Sequence, residues 1–259
     1  MKTRIPKSAL ALLLFATVTS ALRAQAPLFR ELGTEFAGVP SSLWSHDADF
    51  DLDGDTDLAT VTAGGAGLVV RLFTNDGTGR YVASGTPAAM PPALDVYGMS
   101  SGDVDGDGKP DLILATLSLI GTADIDFYLC GPTGFSFAPG FAVGPGCSNC
   151  FLQTVAGDFD GDGLADLVLS DFVGAPRYYR NSPGLAFTSF SAALPPLTTP
   201  VSFLPAGDQD GDGDRDLFAV ELFASVRVLT NNGGVFTAGP IFFAPPFPAY
   251  WAFAPGDFD

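Results

Sequence analysis

The sequence predicts an all-β protein, a β-propeller built from four-stranded blades. Three observations lead to this prediction. Asp-rich segments recur at nearly constant spacing, each complete one is followed by short apolar segments, and no segment shows the sustained periodicity of an amphipathic helix. The 31 Gly and 21 Pro residues would also interrupt helices throughout the chain.

The acidic segments define the repeat. They open at Asp49, Asp103, Asp158, Asp208 and Asp257, in steps of 54, 55, 50 and 49 residues. Of the 29 acidic residues in the chain, 20 lie in these five segments. A period of about 50 residues is typical of propeller blades, whose sheets bury their faces against neighbouring sheets.

Each repeat carries its apolar segments in the same order. The first precedes the acidic residues (97–102, 154–157, 203–207 and 251–256), the second follows them (58–61, 112–117, 167–172 and 217–223), and the third comes after a small-residue turn (68–73, 125–129, 177–180 and 226–230). The fourth opens after a Gly-rich hairpin signal, at Tyr81, Phe135, Phe187 and Phe236. This order predicts four antiparallel strands per repeat.

The complete acidic segments share the pattern D-x-D-x-D-G-x-x-D, which predicts a calcium site in each loop. Calcium prefers six to eight hard oxygen ligands, and alternate side chains of a short loop converge on one ion. Positions 1, 3 and 5 are Asp49, Asp51 and Asp53; Asp103, Asp105 and Asp107; Asp158, Asp160 and Asp162; and Asp208, Asp210 and Asp212. Position 7 offers a main-chain carbonyl, from Asp55, Lys109, Leu164 and Asp214, and position 9 a further carboxylate, from Asp57, Asp111, Asp166 and Asp216.

The alternative of an EF-hand does not fit these loops. An EF-hand needs a Glu at position 12 and a helix on each side. Position 12 is Thr60, Leu114, Leu169 or Ala219, and each of these lies in a predicted strand. The pattern therefore predicts a calcium loop between two strands.

The run at 157–167, Gly-Asp-Phe-Asp-Gly-Asp-Gly-x-x-Asp-Leu, resembles the FG-GAP repeat of integrin α-subunit propellers and the related VCBS repeats of bacterial exported proteins. The resemblance covers nearly the whole chain from residue 27 onward. It implies a propeller of roughly seven blades, calcium between the first two strands of a blade, and ligands on the opposite face. Four complete repeats and the start of a fifth are then expected to be a fragment of that ring. The first loop departs from the pattern because Leu52 replaces the usual Gly, so we expect a different bend there.

Residues 1–26 read as a signal peptide, which leaves 27–259 for the repeats. Lys2, Arg4 and Lys7 form a basic start, an apolar stretch follows, and Ala24-Gln25-Ala26 is a small-x-small cleavage pattern. The apolar stretch is too short to span a bilayer. We therefore expect bacterial-type export, to the extracellular space or the cell surface.

The charge balance limits the partners. The chain has a formal net charge of −17, and the leader removes four basic residues and no acidic ones. Nucleic acid and anionic membranes are therefore not expected to bind.

No pattern of catalytic residues emerges from the sequence. Gly98-Met-Ser100-Ser-Gly102 matches the G-x-S-x-G nucleophile pattern, but that motif needs a strand-to-helix turn and a later His. The single His of the chain is His46, upstream of the motif, and we expect it to lie on the surface. The acidic residues outside the loops form no acid and base pair. We therefore expect a protein that is not an enzyme.

The three cysteines leave two pairings open. Cys147 and Cys150 lie in a Gly- and Pro-rich connection and would form a local disulfide outside the cytosol. Cys130 would then be buried and free, or would pair with one of the other two.

The function expected from these features is a secreted calcium-binding module for binding, adhesion or scaffolding. Its partner would be a protein or a polysaccharide bound on the face opposite the calcium loops. The alternative is a carbohydrate-binding, lectin-like or polysaccharide-active protein on the same fold. Exposed Tyr and Trp residues in Pro-rich connections such as 245–251 would stack on sugars or anchor a protein surface, and the alternative is that they pack in the core.

Overall fold

The computed structural model describes residues 42–65, 67–118, 122–144, 153–170, 174–197, 201–221 and 225–243. In these residues, sixteen strands form four sheets, each from four strands consecutive in sequence. The all-β prediction, with four strands in each repeat, is therefore confirmed. The arrangement of the sheets as a propeller stays a prediction. The predicted signal peptide at 1–26, Cys147, Cys150 and the predicted partial fifth loop at Asp257 lie outside the described residues.

The sheets follow one another along the chain. Sheet 1 contains β1 (Ser42–Ala48), β2 (Asp57–Gly64), β3 (Gly67–Asn75) and β4 (Tyr81–Ala89). Sheet 2 contains β5 (Ala93–Gly102), β6 (Asp111–Ser118), β7 (Ala123–Gly131) and β8 (Gly134–Gly144). Sheet 3 contains β9 (Gln153–Gly157), β10 (Asp166–Ser170), β11 (Arg177–Arg180) and β12 (Thr188–Ser189). Sheet 4 contains β13 (Val201–Gly207), β14 (Asp216–Glu221), β15 (Ser225–Asn232) and β16 (Val235–Phe243).

Apolar side chains lie on both faces of the inner strands because each sheet packs against its neighbours. Every residue of β10 is buried. In β7 the faces alternate: Ile125 and Phe127 join a cluster with residues of sheet 3, whereas Tyr128 and Cys130 join one with residues of sheet 1. A third cluster joins sheets 3 and 4. The period of two along a strand thus divides its side chains between two cores.

In sheets 1, 2 and 3 the second residue of the loop is buried in these cores; these residues are Phe50, Val104 and Phe159. Phe50 and Phe159 also contact other aromatic rings. Their rings meet those of Phe135 and Phe236, each in the following sheet, edge to face at centroid distances of 5.1 Å and 5.5 Å. Such ring pairs add to the stabilisation from burial itself. A loop that is polar at its tip is therefore fixed at its base by an apolar contact with the next sheet.

Sheet 3 differs from the others in its fourth strand. β12 spans only Thr188–Ser189 and is followed by a 3₁₀ turn at Ser191–Ala193. Phe187, predicted to open this strand, instead stacks on Phe127 at 5.0 Å between ring centroids. The 3₁₀ turn directly after β12 takes the chain out of the extended conformation, so the ladder with β11 has only two residue pairs.

Two sequence features acquire a place in the fold. The G-x-S-x-G match lies within β5, so it forms no strand-to-helix turn. His46 is half-buried, and its Nε2 lies 3.0 Å from Ser101 Oγ, so the expectation of a lone surface histidine is wrong. Burial lowers the pKa of His46, and the charge of Asp47 raises it. No helix within the described residues is long and apolar enough to cross a bilayer.

Candidate metal centre

The acidic loops connect the first and second strands of each sheet, at 49–56, 103–110, 158–165 and 208–215. Each ends where the position-9 Asp begins the second strand. Because the four sheets share one strand order, the loops occupy equivalent places.

The backbone of every loop turns left-handed at positions 4 and 6. At position 6, φ is 94° for Gly54, 87° for Gly108, 92° for Gly163 and 99° for Gly213. At position 4, φ is 84° for Gly106, 78° for Gly161, 81° for Gly211 and 65° for Leu52. The expectation that Leu52 bends the first loop differently is therefore wrong. Leu52 takes the left-handed conformation of its glycine counterparts, which strains a residue with a Cβ.

The position-1 carboxylate organises the loop from inside. In sheet 2, Asp103 Oδ1 accepts a hydrogen bond from Gly106 N at 2.7 Å, and its Oδ2 accepts one from Gly108 N at 2.8 Å. Asp158 and Asp208 accept equivalent bonds. In the first loop, Asp49 Oδ1 accepts instead from Asp53 N at position 5, and its Oδ2 accepts from Gly54 N. These bonds hold the loop backbone in a turn around the position-1 carboxylate.

The carboxylates at positions 3 and 5 form a ladder of Asx turns. Asp105 Oδ1 accepts from Asp107 N at 3.1 Å, and Asp107 Oδ1 accepts from Lys109 N at 2.8 Å. The pairs of the other loops repeat this pattern. Each bond occupies one of about four acceptor sites on a carboxylate. Acceptor capacity therefore remains on every one of these side chains.

The position-9 carboxylate ties the loop to the sheet. Asp111 is fully buried, and its oxygens accept hydrogen bonds from Val104 N at 3.0 Å and Cys130 N at 2.8 Å. Asp57, Asp166 and Asp216 make the same two kinds of bond, from the second loop residue and from the end of the third strand. This residue thus joins three segments of its repeat.

The structure brings three carboxylates of each loop close together. Their oxygens lie within 4.8 Å of one another in the sets Asp49, Asp51 and Asp53; Asp103, Asp105 and Asp111; Asp158, Asp160 and Asp162; and Asp208, Asp210 and Asp216. Position 9 belongs to the sets of sheets 2 and 4, and position 5 to those of sheets 1 and 3. The predicted ligands Asp107, Asp212, Asp57 and Asp166 lie outside the sets of their loops. The N–H groups of the position-7 residues Asp55, Lys109, Leu164 and Asp214 donate to the position-5 carboxylates, and the role of their carbonyl oxygens as ligands stays a prediction.

The electrostatics of the loops favour a bound cation. Burial raises the pKa of Asp111 to about 7 and that of Asp166 to about 6. Burial, then the charge of Asp162, also raises the pKa of Asp160. Carboxylates that resist ionisation in the metal-free fold ionise more easily beside a cation. A donor set made of oxygens alone, held by a short turn, suits a hard ion such as Ca²⁺.

In sheet 3 an arginine side chain lies next to a carboxylate of the acidic loop. Arg180 Nε lies 3.6 Å from Asp160 Oδ2. The guanidinium also lies 3.9 Å from the centre of the Phe190 ring and donates to the carbonyl oxygen of Gly233 at 2.9 Å. The other sheets have Thr74, Leu129 and Thr230 at the equivalent strand position.

Comparison with known families agrees with this geometry. A family model described as an FG-GAP-like repeat matches residues 49–114 and 158–219. The chain belongs to the FG-GAP-like repeat family. The first match begins at Asp49, in the loop of sheet 1, and ends in β6 of sheet 2. The second begins at Asp158, in the loop of sheet 3, and ends in β14 of sheet 4. No curated protein sequence matches the chain.

The FG-GAP-like repeats are also linked by side chains that the sequence analysis missed. Asn231 Nδ2 donates to the carbonyl oxygen of Phe159 at 2.7 Å, and Cys130 Sγ donates to that of Phe50 at 3.2 Å. Each bond joins the end of a third strand to the loop of the preceding sheet. Cys130 is buried and in no disulfide, which agrees with the first of its two predicted states. The signal for the asparagine links was an Asn directly after the third apolar segment, at Asn181 and Asn231, which the hairpin pattern obscured.

Proposed function

We propose that the protein is an exported calcium-binding β-propeller module that binds a partner or serves as a scaffold and catalyses no reaction. The observation that carries the proposal is the fourfold recurrence of three carboxylates whose oxygens lie within 4.8 Å of one another, with left-handed turns at positions 4 and 6 and a buried Asp at the base of each loop. The family shown by the repeats supports the propeller arrangement.

In this proposal the loops stiffen one end of each sheet. Positions 1, 3, 5 and 9 hold the ion, and the position-9 Asp also transmits its effect to the second and third strands. The opposite ends carry the connections between sheets and between second and third strands. A protein or polysaccharide partner would bind there, as the resemblance to integrin-type repeats implies.

Calcium binding is tested by titration calorimetry and thermal unfolding of the calcium-free chain. The triple variant Asp158→Asn, Asp160→Asn, Asp162→Asn should lose one site and melt lower than the wild type in millimolar calcium. In calcium-free buffer the two should melt alike. Roughly 10⁻⁴ to 10⁻³ M is the affinity expected of extracellular loops.

A matched control removes three charges outside the loops: Asp47→Asn, Asp76→Asn and Asp95→Asn. This control should keep all calcium binding. Equal destabilisation of the loop variant with and without calcium, or absence of calcium uptake by the wild type, would rule out the proposed metal. Export is tested separately by comparing the location of the protein expressed with and without residues 1–26.

A further inference from the structure

One arginine connects the acidic loop of sheet 3 to sheet 4. Arg180 lies at the end of β11, and its Nε is 3.6 Å from Oδ2 of Asp160, the position-3 residue of the loop in its own sheet. Its Nη2 donates a hydrogen bond of 2.9 Å to the carbonyl oxygen of Gly233, in the turn between β15 and β16 of sheet 4. The guanidinium therefore bridges two sheets.

From Gly233 the contacts continue into the acidic loop of sheet 4. The N–H of Gly233 donates to Asp214 Oδ2 at 2.7 Å, and Asp214 N donates to Asp212 Oδ1 at 2.9 Å. Gly233 thus has a positive charge beside its carbonyl oxygen and a negative charge beside its N–H. A continuous series of polar contacts joins the two loops, and it runs through Asp160, Arg180, Gly233 and Asp214.

The guanidinium fits closely against the turn of sheet 4. A Cβ added to Gly234 would lie 2.5 Å from Arg180 Nη2, which is too short a distance for a real side chain. The guanidinium carbon also lies 3.9 Å from the centre of the Phe190 ring, where a cation gains further attraction. These contacts with neutral groups do not depend on Asp160, so they retain the guanidinium beside sheet 4 when its ion pair is weakened.

The contact with Asp160 is the one most sensitive to added charge. Arg180 Nε is buried and makes no hydrogen bond within the described residues, so its interaction with Asp160 at 3.6 Å is electrostatic. The two side chains are only 28% and 15% exposed, which leaves their attraction partly unscreened by solvent. Positive charge on the ligand side of Asp160 would therefore repel the guanidinium.

Among the four described sheets, one junction alone has opposite charges at the two ends of this connection. The relevant residues are the one at the Arg180 position of a sheet and the position-7 residue of the next loop. They are Thr74 and Lys109 for sheets 1 and 2, Leu129 and Leu164 for sheets 2 and 3, and Arg180 and Asp214 for sheets 3 and 4. The first two junctions therefore serve as internal controls for the third.

We infer that the calcium loops of sheets 3 and 4 bind their ions with negative cooperativity, and that Arg180 is the group that couples them. The guanidinium is one positive charge shared by two acidic loops. When the loop of sheet 3 holds a cation, the guanidinium is repelled from Asp160 and retained beside Gly233, where its charge acts on Asp214. The inference deepens the proposed function and rests on it for calcium as the bound ion.

The coupling is the same in both directions because binding free energies are linked. When the loop of sheet 4 holds a cation, the guanidinium is driven toward Asp160, and the loop of sheet 3 must then displace it to bind an ion. The two states of the coupling element are Arg180 paired with Asp160 and Arg180 held by Gly233 alone. We expect the loop of sheet 3 to fill second, because the guanidinium lies nearest to it.

Two backbone N–H groups report the loops separately. Gly163 N donates to Asp158 Oδ2, and Gly213 N donates to Asp208 Oδ2, each at 3.0 Å, so the NMR signals of these glycines follow the state of their own loops. The experiment titrates the full chain with calcium at about 0.15 M ionic strength, where charges farther apart than the Debye length are largely screened. The calcium midpoint of each signal is the measured quantity.

The variant Asp208→Glu, Asp212→Glu disables the loop of sheet 4 without changing its charge. The longer side chains no longer fit the turn bonds to Gly213 N and Asp214 N, and loss of the Gly213 response verifies the effect. We expect the midpoint of the Gly163 signal to fall roughly 5-fold relative to wild type. Neutral Asn is avoided here because removal of two charges would imitate a bound divalent ion.

Arg180→Gln should remove the coupling, so that disabling the loop of sheet 4 then changes the Gly163 midpoint by less than about 2-fold. Arg177→Gln removes the same charge from the same strand, and its guanidinium contacts the Val143 carbonyl of sheet 2, so this control should keep the coupling. Asp214→Asn is a second test in case Arg180→Gln does not fold. It keeps an acceptor near the turn of sheet 4 but removes the charge, and it should reduce the coupling.

The junction of sheets 1 and 2 provides the matched control. Asp49→Glu, Asp53→Glu disables the loop of sheet 1 and should leave the midpoint of the Gly108 signal unchanged. Three results would overturn the inference: an unchanged or higher Gly163 midpoint when the loop of sheet 4 is disabled, full coupling in Arg180→Gln, or equal coupling between sheets 1 and 2. Loops that respond to calcium independently refute the coupling alone, whereas loops that do not respond refute the proposed metal as well.

Discussion

The side-chain amide of Asn181 donates a hydrogen bond to the carbonyl oxygen of Val104 at 2.8 Å, although the two residues are 77 positions apart. Val104 is the second residue of the loop in sheet 2, and its N–H donates to Asp111 in the same sheet. The N–H of Asn181 likewise donates to Asp166 in sheet 3. The loops of sheets 1, 2 and 3 are each connected in this way to their own sheet and to the next one.

This link predicts that Asn181→Ala destabilises the protein by about 1–3 kcal/mol, because it leaves the buried carbonyl of Val104 without its donor. Asn231→Ala should behave alike, since Asn231 makes the same bond to Phe159. Urea unfolding measures the free energy of unfolding of each variant. Asn232→Ala, at an exposed neighbour, is the control and should change it little. An effect of the same size at all three positions would show that the inter-sheet bond contributes nothing specific.

The chemistry of Cys130 gives a second prediction. Burial raises the pKa of its thiol to about 11, and a thiol rather than a thiolate reacts slowly with alkylating reagents. We expect Cys130 to stay unlabelled by iodoacetamide in the native protein near neutral pH and to be labelled in urea. Mass spectrometry of the labelled peptides identifies the residue. Rapid native labelling of Cys130 would contradict the buried bond to Phe50.

Leu52 gives a third prediction, independent of any metal. Its φ of 65° costs roughly 1–2 kcal/mol for a residue with a Cβ, and 54% of its surface is exposed, so little packing would be lost. Leu52→Gly should therefore stabilise the fold by about 0.5–1 kcal/mol after the entropic loss that Gly brings. Leu164→Gly is the contrasting variant. Leu164 is 8% exposed and has no left-handed backbone, so this change should destabilise the protein in the same urea measurement.

The parts of the site that are formed by residues close in sequence could be predicted from the sequence. The carboxylates at positions 1 and 3 lie close together in all four loops, and because they are two residues apart their convergence follows from local turns. The shared motif did not show that the third carboxylate comes from position 5 in two loops and from position 9 in the other two. The bond from Asn181 to Val104 became visible only in the tertiary structure, because the two residues are 77 positions apart. The sequence did not predict that β12 is short, because Phe187 stacks on Phe127 of the neighbouring sheet and does not open the strand.

The buried carboxylates predict opposite pH dependences with and without calcium. The pKa of Asp111 is about 7 in the fold, against about 3.9 in an unfolded chain. The folded metal-free state therefore binds more protons between these values, and its stability should fall as pH rises from about 4 to about 7. In saturating calcium the ionised form is neutralised, so stability should fall as pH decreases instead. Melting temperatures across this range in calcium-free and millimolar calcium buffers test the sign. Parallel curves would contradict the assignment of Asp111 to a calcium loop.

The arginine beside the third loop predicts unequal calcium affinities. Arg180 places a positive charge 3.6 Å from Asp160, where it repels a second cation. At the dielectric of a protein surface, unit charges several ångströms apart interact by about 1 kcal/mol or more, enough for a several-fold change in affinity. Arg180→Gln should therefore strengthen calcium binding by the loop of sheet 3, as measured by calorimetry on a background with Asn at positions 1, 3 and 5 of the other three loops.

The same substitution should weaken the metal-free fold, because Arg180 also connects the loop to the Phe190 ring and the Gly233 carbonyl. Arg215→Gln, which removes a charge without a contact to Asp160 among the described ion pairs, is the control. A decrease in calcium affinity on Arg180→Gln would mean that the guanidinium shapes the loop more than it repels the ion. A gain in calcium affinity together with lower metal-free stability would show that Arg180 stabilises the loop when no metal is bound.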